Sequence, residues 1–297
     1  MLFDTVVVGA GLIGLAIARR LQKAGHSVML FDQGRAGGEA SWAGAGMLAP
    51  HGESFPDAYW TGLAHHALAE YPGFVASLKA PIDFRISGAI EYRDGERLEF
   101  PDEAQVNPRD LVAALRPGLG VAENTRVESI ETVPNGVSIN GIQARTAVVA
   151  GGAWSSLLPG FPAAIPVRGH MLAFEMPPGS LPQILRRGHT YLLQRASGLT
   201  LAGSTEQHVG FDRSLDPEAL ADLAVRTGEL WPELSGRAPA DAWCGFRPAT
   251  PSGVPEVHQM PGSPIWCAYG HFRNGILLAD VTAELVVNDI VAALAGE

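Results

Sequence analysis

The first thirty-two residues constrain the fold more than any other stretch. Val6-Val7-Val8 is a β-branched run with the length of a buried strand. It leads into Gly9-Ala10-Gly11-Leu12-Ile13-Gly14, a G-x-G-x-x-G pattern. Apolar residues then recur at helical spacing (Leu12, Leu15, Ala16, Leu21) until Gly25 supplies a stop. A second strand is expected over 27–31, with Asp32 at its end. Each residue type has a physical task in such a unit. Gly9 permits the tight turn, Gly11 lets backbone approach a pyrophosphate, and Gly14 lets the helix pack close to the strand. The helix N-terminus, at Leu12 and Ile13, offers N–H groups and a positive dipole end to phosphates. Asp32, followed by Gln33, stands at the distance at which an acid accepts hydrogen bonds from a ribose. A lone glycine pattern is no more than a turn; strand, helix and acid together point to a dinucleotide.

At 297 residues the chain can bury a large core and has room for two domains or two interleaved ones. A hydrophobic share of 46% against 18% charged suits a globular enzyme rather than a disordered chain. The formal charge of −10 argues against nucleic acid, whose phosphates need a basic footprint. No Lys/Arg-rich block occurs, which argues against an anionic membrane surface as partner. Residues 6–18 are apolar, but Asp4 precedes them and Arg19 and Arg20 follow, the reverse of a secretion signal's charge order. The run is also too short to span a bilayer. Two cysteines, Cys244 and Cys267, form no disulfide framework and suit a reducing cytoplasm. His65 and His66 lack neighbours at metal-ligand spacing and read as surface residues, so no metal is expected.

Directly after Asp32 comes GGEASWAGAGMLAP, residues 37–50. A nicotinamide-binding domain would proceed into another helix and strand. Here a run of small side chains follows, the kind needed where backbone lies flat against a broad planar ligand. A flexible Gly/Ala linker is the alternative, but Trp42, Met47 and Leu48 are large apolar groups that linkers rarely carry. Ala40, Ser41, Ala45, Gly46 and Met47 are therefore candidate cofactor contacts. The combination GAGLIG…LFD…GGEASWAGAGMLAP resembles the flavin oxidases of the D-amino-acid oxidase family, and within it the glycine-oxidising branch. The resemblance implies FAD as the dinucleotide, with the small-residue strip beside the isoalloxazine ring.

Beyond the strip, residues 59–78 carry a loose helical period, interrupted at Pro72-Gly73, and 84–92 alternates like a strand. Asn107-Pro108 caps a helix running to about residue 115. Strands are expected over 125–132 and 137–139, joined at Pro134-Asn135-Gly136. The resemblance makes Val127 a backbone contact for the adenine. Residues 147–155 repeat the opening logic: a buried strand ends at Gly151-Gly152, beside Trp154, and backbone can again approach the dinucleotide. Strands over 167–175, 191–194 and 199–203 and a helix over 217–230 belong to a second layer facing the substrate. After a strand at 266–269, Gly270-His271-Phe272-Arg273-Asn274-Gly275-Ile276 opens a helix to residue 294. Such a loop suits developing negative charge at the flavin's pyrimidine end.

The expected architecture is α/β: a Rossmann-like FAD-binding domain interleaved with a smaller α+β substrate domain on an antiparallel sheet. Residues 1–50, 107–156 and 241–297 are assigned to the first and 51–106 and 157–240 to the second. The chain is shorter than the resembling proteins, with the shortfall expected near 93–107.

An amino-acid substrate presents a carboxylate that is best met by a planar bidentate donor, Arg rather than Lys. Trp243-Cys244-Gly245-Phe246-Arg247-Pro248 resembles the family's substrate-arginine motif, making Arg247 the candidate clamp; a structural ion pair is its other reading. The resemblance adds Tyr191 as the carboxylate's phenolic donor and His189 as the pocket histidine. Arg273 is a candidate substrate or flavin contact, and Met47 a pocket wall. Glu206 stands where many members carry an apolar residue. The implied reaction is oxidative deamination of glycine, sarcosine or small D-amino acids, with dioxygen taking the electrons and giving peroxide. A link to thiamin thiazole synthesis is also implied. Non-covalent FAD is expected, Cys244 being read as a small buried thiol rather than a flavin attachment point. A dehydrogenase using another acceptor, and an inactive flavin binder, are the rival readings; homo-oligomer formation is left open.

Overall fold

The computed structural model describes residues 2–52 and 55–295. Its first sheet runs in the order Glu256–Gln259, Ile265–Tyr269, Ile142–Val149, Leu2–Val8, Val28–Phe31, Gly120–Ala122. All of these neighbours are parallel except the edge strand Glu256–Gln259. Burial on both faces of the sheet explains why the Val6-Val7-Val8 run is apolar throughout. Val7, Val148 and Trp266 face one core with the helices Leu12–Lys23, Ala58–Ser77 and Ala279–Ala295. Val6, Val8, Ala147 and Val149 face another, closed by Val127, Val137, Ile139 and Leu158.

The second sheet is Asp241–Ala249, Ile165–Glu175, Leu199–Gly203, Thr190–Gln194, Ile184–Arg187, Ala89–Arg93, Glu96–Phe100. Only the Ile184–Arg187 and Ala89–Arg93 pair is parallel. Its outer face (Leu172, Phe174, Leu192, Ala202) packs on the helix Pro217–Leu230. Its inner face (Met171, Ala173, Leu193, Leu201, Trp243) packs on Ala43 and Ala45. The small-residue strip is therefore held against the inner face of the second sheet. Asp241–Ala249 belongs to that sheet, paired along its whole length with Ile165–Glu175.

Two local expectations need correction. Pro72 does not interrupt its helix, which is continuous over Ala58–Ser77. An interior proline costs about 3 kcal/mol, but Tyr71 and Phe74 on either side are buried, and the Tyr71 hydroxyl donates to the Ile276 carbonyl at 3.1 Å. Residues 125–130 form no ladder; the strand there is only Glu131–Val133. The segment is instead tied end-on to the second strand, Thr125 N–H donating to the Asp32 carbonyl at 2.7 Å. The loop after Gly270 runs to residue 278, and the helix that it opens begins at Ala279.

Candidate active site

A cavity of about 320 Å³ lies between the two sheets. At one end sits the glycine turn. Gly9 has φ +104°, and a side chain there would meet the Ala150 carbonyl; the backbone of Gly151 completes that wall. Gly14 does not line the cavity: it packs against the Gly9 carbonyl, which is what lets the helix lie close. The helix Leu12–Lys23 has no side chain capping its N-terminus from Gly11, although Leu12 N–H donates to Ser41 Oγ at 3.0 Å. Asp32 lines the cavity with Gln33. Its two oxygens accept from Ala10 N–H and Gly34 N–H, each at 2.8 Å. An ionised carboxylate has about four lone-pair sites, so capacity for a ribose hydroxyl remains. Val127 lines the same end, and its peptide groups lie outside any ladder. Cradle, helix N-terminus and spare acceptor fit a dinucleotide.

The strip forms the middle of the wall. Ala40, Ser41, Ala45, Gly46 and Met47 all line it, as does Trp154 opposite. Gly46 has φ +81°, and a Cβ there would stand 1.8 Å from the Val106 carbonyl oxygen. Backbone is pressed on backbone, which only glycine allows.

At the other end the second sheet brings together residues remote in sequence. Arg247, Tyr191, Met47 and Arg273 line the cavity with Met171 and Ser204. Arg247 donates to Ser204 Oγ at 2.6 Å and to the Thr205 carbonyl at 3.2 Å. Its guanidinium passes over Gly169 on the neighbouring strand, where a Cβ would stand 2.4 Å from it. Tyr191 hydroxyl donates to Met171 Sδ at 3.2 Å, above Gly203. Ser204, Met171 and the space-making Gly169 and Gly203 carry no site role in the sequence analysis. Glycines inside strands were the available signal, since they mark close approach. His189 is not in the cavity wall; its Nδ1 lies 3.1 Å from Arg273 Nη2, which also donates to Glu206 at 2.7 Å.

The loop after 270 closes this end. His271, Phe272, Asn274, Gly275 and Ile276 all line the cavity with Arg273. His271 is buried, its Nε2 is 2.9 Å from Thr282 Oγ1, and burial pushes its pKa down to about 3. It is a neutral imidazole at physiological pH. Cys244 alternates away from Gly245 and Arg247, does not line the cavity, and lies 3.4 Å from the Arg213 carbonyl. It is half-buried rather than buried, and desolvation raises its thiol pKa. Among the described residues no group of His, Cys, Asp and Glu could hold a metal ion. Among them, too, no helix is long and apolar enough to cross a membrane.

The FAD dependent oxidoreductase family model matches residues 4–100 and 94–288. The two matches overlap where Ala89–Arg93 and Glu96–Phe100 are joined by the tight turn Asp94-Gly95. The chain is 30% identical to glycine oxidase of Pseudomonas aeruginosa, over 95% of this chain and 93% of that one. It is 31% identical to the bifunctional protein ThiO/ThiG of Synechocystis, over 95% of this chain but 51% of the larger relative. The crystal structure of glycine oxidase from Geobacillus kaustophilus superposes with a TM-score of 0.92 at 26% identity, covering 98% of this chain and 95% of that one. By its fold, its dinucleotide cradle and these matches, the chain belongs to the D-amino-acid oxidase (DAO) family of FAD-dependent oxidoreductases.

Proposed function

We propose that the protein oxidatively deaminates glycine or another small amino acid, such as sarcosine or a small D-amino acid. With water and dioxygen consumed, glycine or a primary D-amino acid would give a 2-oxo acid, ammonia and hydrogen peroxide, and sarcosine would release methylamine in place of ammonia. The observation that carries this is Arg247 in the cavity wall with Tyr191, at the end away from the glycine turn. A planar guanidinium beside a phenol is the donor set a carboxylate calls for. When bound, FAD supplies the hydride acceptor for the substrate Cα–H, and dioxygen restores it.

Arg247 and Tyr191 hold the carboxylate, Ser204 fixes the guanidinium, and Met47 and Met171 limit the room left for a side chain. The strip and the loop of residues 271–276 seat the cofactor. Arg273 lines the same end of the cavity, with His189 Nδ1 3.1 Å from its Nη2. The amine reacts as its free base, so no acid–base residue is assigned; the protein's part is orientation and exclusion of water. Non-covalent FAD is supported by Cys244 standing off the cavity. The interleaved FAD and substrate domains are supported by the way successive stretches of the chain alternate between the two larger of the three sheets. A cytoplasmic location is supported by two free thiols. A role in supplying thiamin thiazole synthesis rests on the resemblance and on the relative named ThiO/ThiG.

Oxygen uptake with glycine, sarcosine, D-alanine and D-proline, coupled to a peroxide assay, tests the proposal. Stoichiometric peroxide is expected. Electron transfer to a dye with no oxygen uptake would make the protein a dehydrogenase, and neither would leave it a flavin binder.

A further inference from the structure

Arg247 and Arg273 line the substrate end of the cavity, and Glu206, just outside that lining, is bonded to Arg273. Arg247 is engaged by Ser204 and Thr205. Arg273 is bonded from Nη2 to Glu206 Oε2 at 2.7 Å. The Glu206 side chain is 34% exposed and that of Arg273 21%, so the pair sits at the solvent-facing rim of the pocket. Burial works against ionisation of Glu206. The Arg273 bond and charge, with attraction from Arg247 and His189, outweigh it and hold the carboxyl below its usual range. Glu206 is therefore a fixed negative charge at neutral pH.

Together Arg247, Arg273 and Glu206 carry a net single positive charge. An amino acid with a neutral amine brings one negative charge, and the balance closes. A second carboxylate on the substrate that approached Arg273 would meet Glu206 already bonded to its Nη2 and would stand beside that anion well inside a Debye length. We propose that Glu206 is a specificity-determining residue that occupies Arg273 and so restricts the pocket to monocarboxylic amino acids. The inference rests on the amino-acid oxidation proposed above.

The test uses the flavin-loaded protein and two ligands that cannot be oxidised, acetate and malonate, with binding read from the perturbed flavin absorption. In Glu206→Gln the Kd ratio of malonate to acetate should fall at least tenfold relative to the unmodified protein. Glu206→Asp, which keeps the charge, should retain the original ratio. Sarcosine and iminodiacetate, which differ by one N-linked carboxylate, provide the kinetic counterpart, with the kcat/KM ratio moving at least tenfold toward iminodiacetate in Glu206→Gln. A malonate-to-acetate ratio unchanged within twofold in both Glu206→Gln and Glu206→Met, each with normal flavin content, would overturn the proposal. Failure of the underlying activity is separately visible. Flavin that responds to acetate but is reduced by no amino acid would refute the oxidation and still leave the charge-selection ratio readable.

Discussion

The buried guanidinium of Arg195 donates to the carbonyls of Ala45 and Val106, the latter at 3.0 Å. Ala45 belongs to the small-residue strip and Val106 to the strand Ala104–Val106, so one cation ties the cavity wall to the strand behind it. Burial pushes the Arg195 pKa down to about 10, with Asp83 and Asp110 opposing, and it stays charged at neutral pH. Arg195→Met strands two buried carbonyls, each a loss of about 1–3 kcal/mol. Denaturant unfolding of the flavin-loaded protein should show a destabilisation of about 2–5 kcal/mol, with weaker flavin retention. A change under about 1 kcal/mol, less than one stranded carbonyl costs, would show that the strip does not depend on this cation.

Gly46 is pressed against Val106 at positive φ. Gly46→Ala combines a conformational penalty of about 1–2 kcal/mol with a backbone clash. The expected result is a protein with less bound flavin and a lower melting temperature, whereas Gly25→Ala, with open space around its Cβ position, should keep its flavin. Equal flavin content in the two variants would contradict the close approach.

Arg247 is expected to act on substrate, not on the cofactor. Arg247→Lys replaces a planar fork by a point charge. Losing one charge-assisted bond of about 1.5–3 kcal/mol predicts a roughly 10- to 150-fold rise in KM with flavin content unchanged. Steady-state kinetics with the best substrate check this, and an unchanged KM would remove Arg247 from the site.

His271 has a defined acid signature. Its folded pKa, about 3, lies below the unfolded value of 6.5. Between these limits the unfolded chain binds a proton that the native state refuses, so stability is full above pH 6.5 and falls as pH drops. The slope is about 1.4 kcal/mol per pH unit. Unfolding free energies of the protein and of His271→Gln, compared from about pH 7 to about pH 5, should converge as pH falls. Parallel curves would mean that His271 titrates alike in both states.

The dinucleotide end was legible because its logic is local: strand, glycine turn, helix and acid follow one another from Val6 to Asp32. The substrate end is assembled from strands that begin at Ile165, Thr190 and Asp241, and no periodicity within one segment announces that Arg247 will cross Gly169. There the resemblance supplied Arg247 and Tyr191, while the glycines that make room for them carried no site role. Arg195 left no trace either, since an arginine just ahead of the turn at Ser197-Gly198 reads as solvent-facing. Pro72 misled because propensity is outweighed where flanking aromatics are buried. Residues 125–130 misled because an extended, half-apolar segment looks the same whether or not a partner strand lies beside it.

The most direct measurement is an anaerobic titration of the flavin-loaded protein with glycine and sarcosine, following the flavin absorption band. Bleaching that saturates with substrate, and reverses on admitting air with release of peroxide, is the result expected of an amino-acid oxidase. A flavin spectrum that stays oxidised with every small amino acid tried would contradict it.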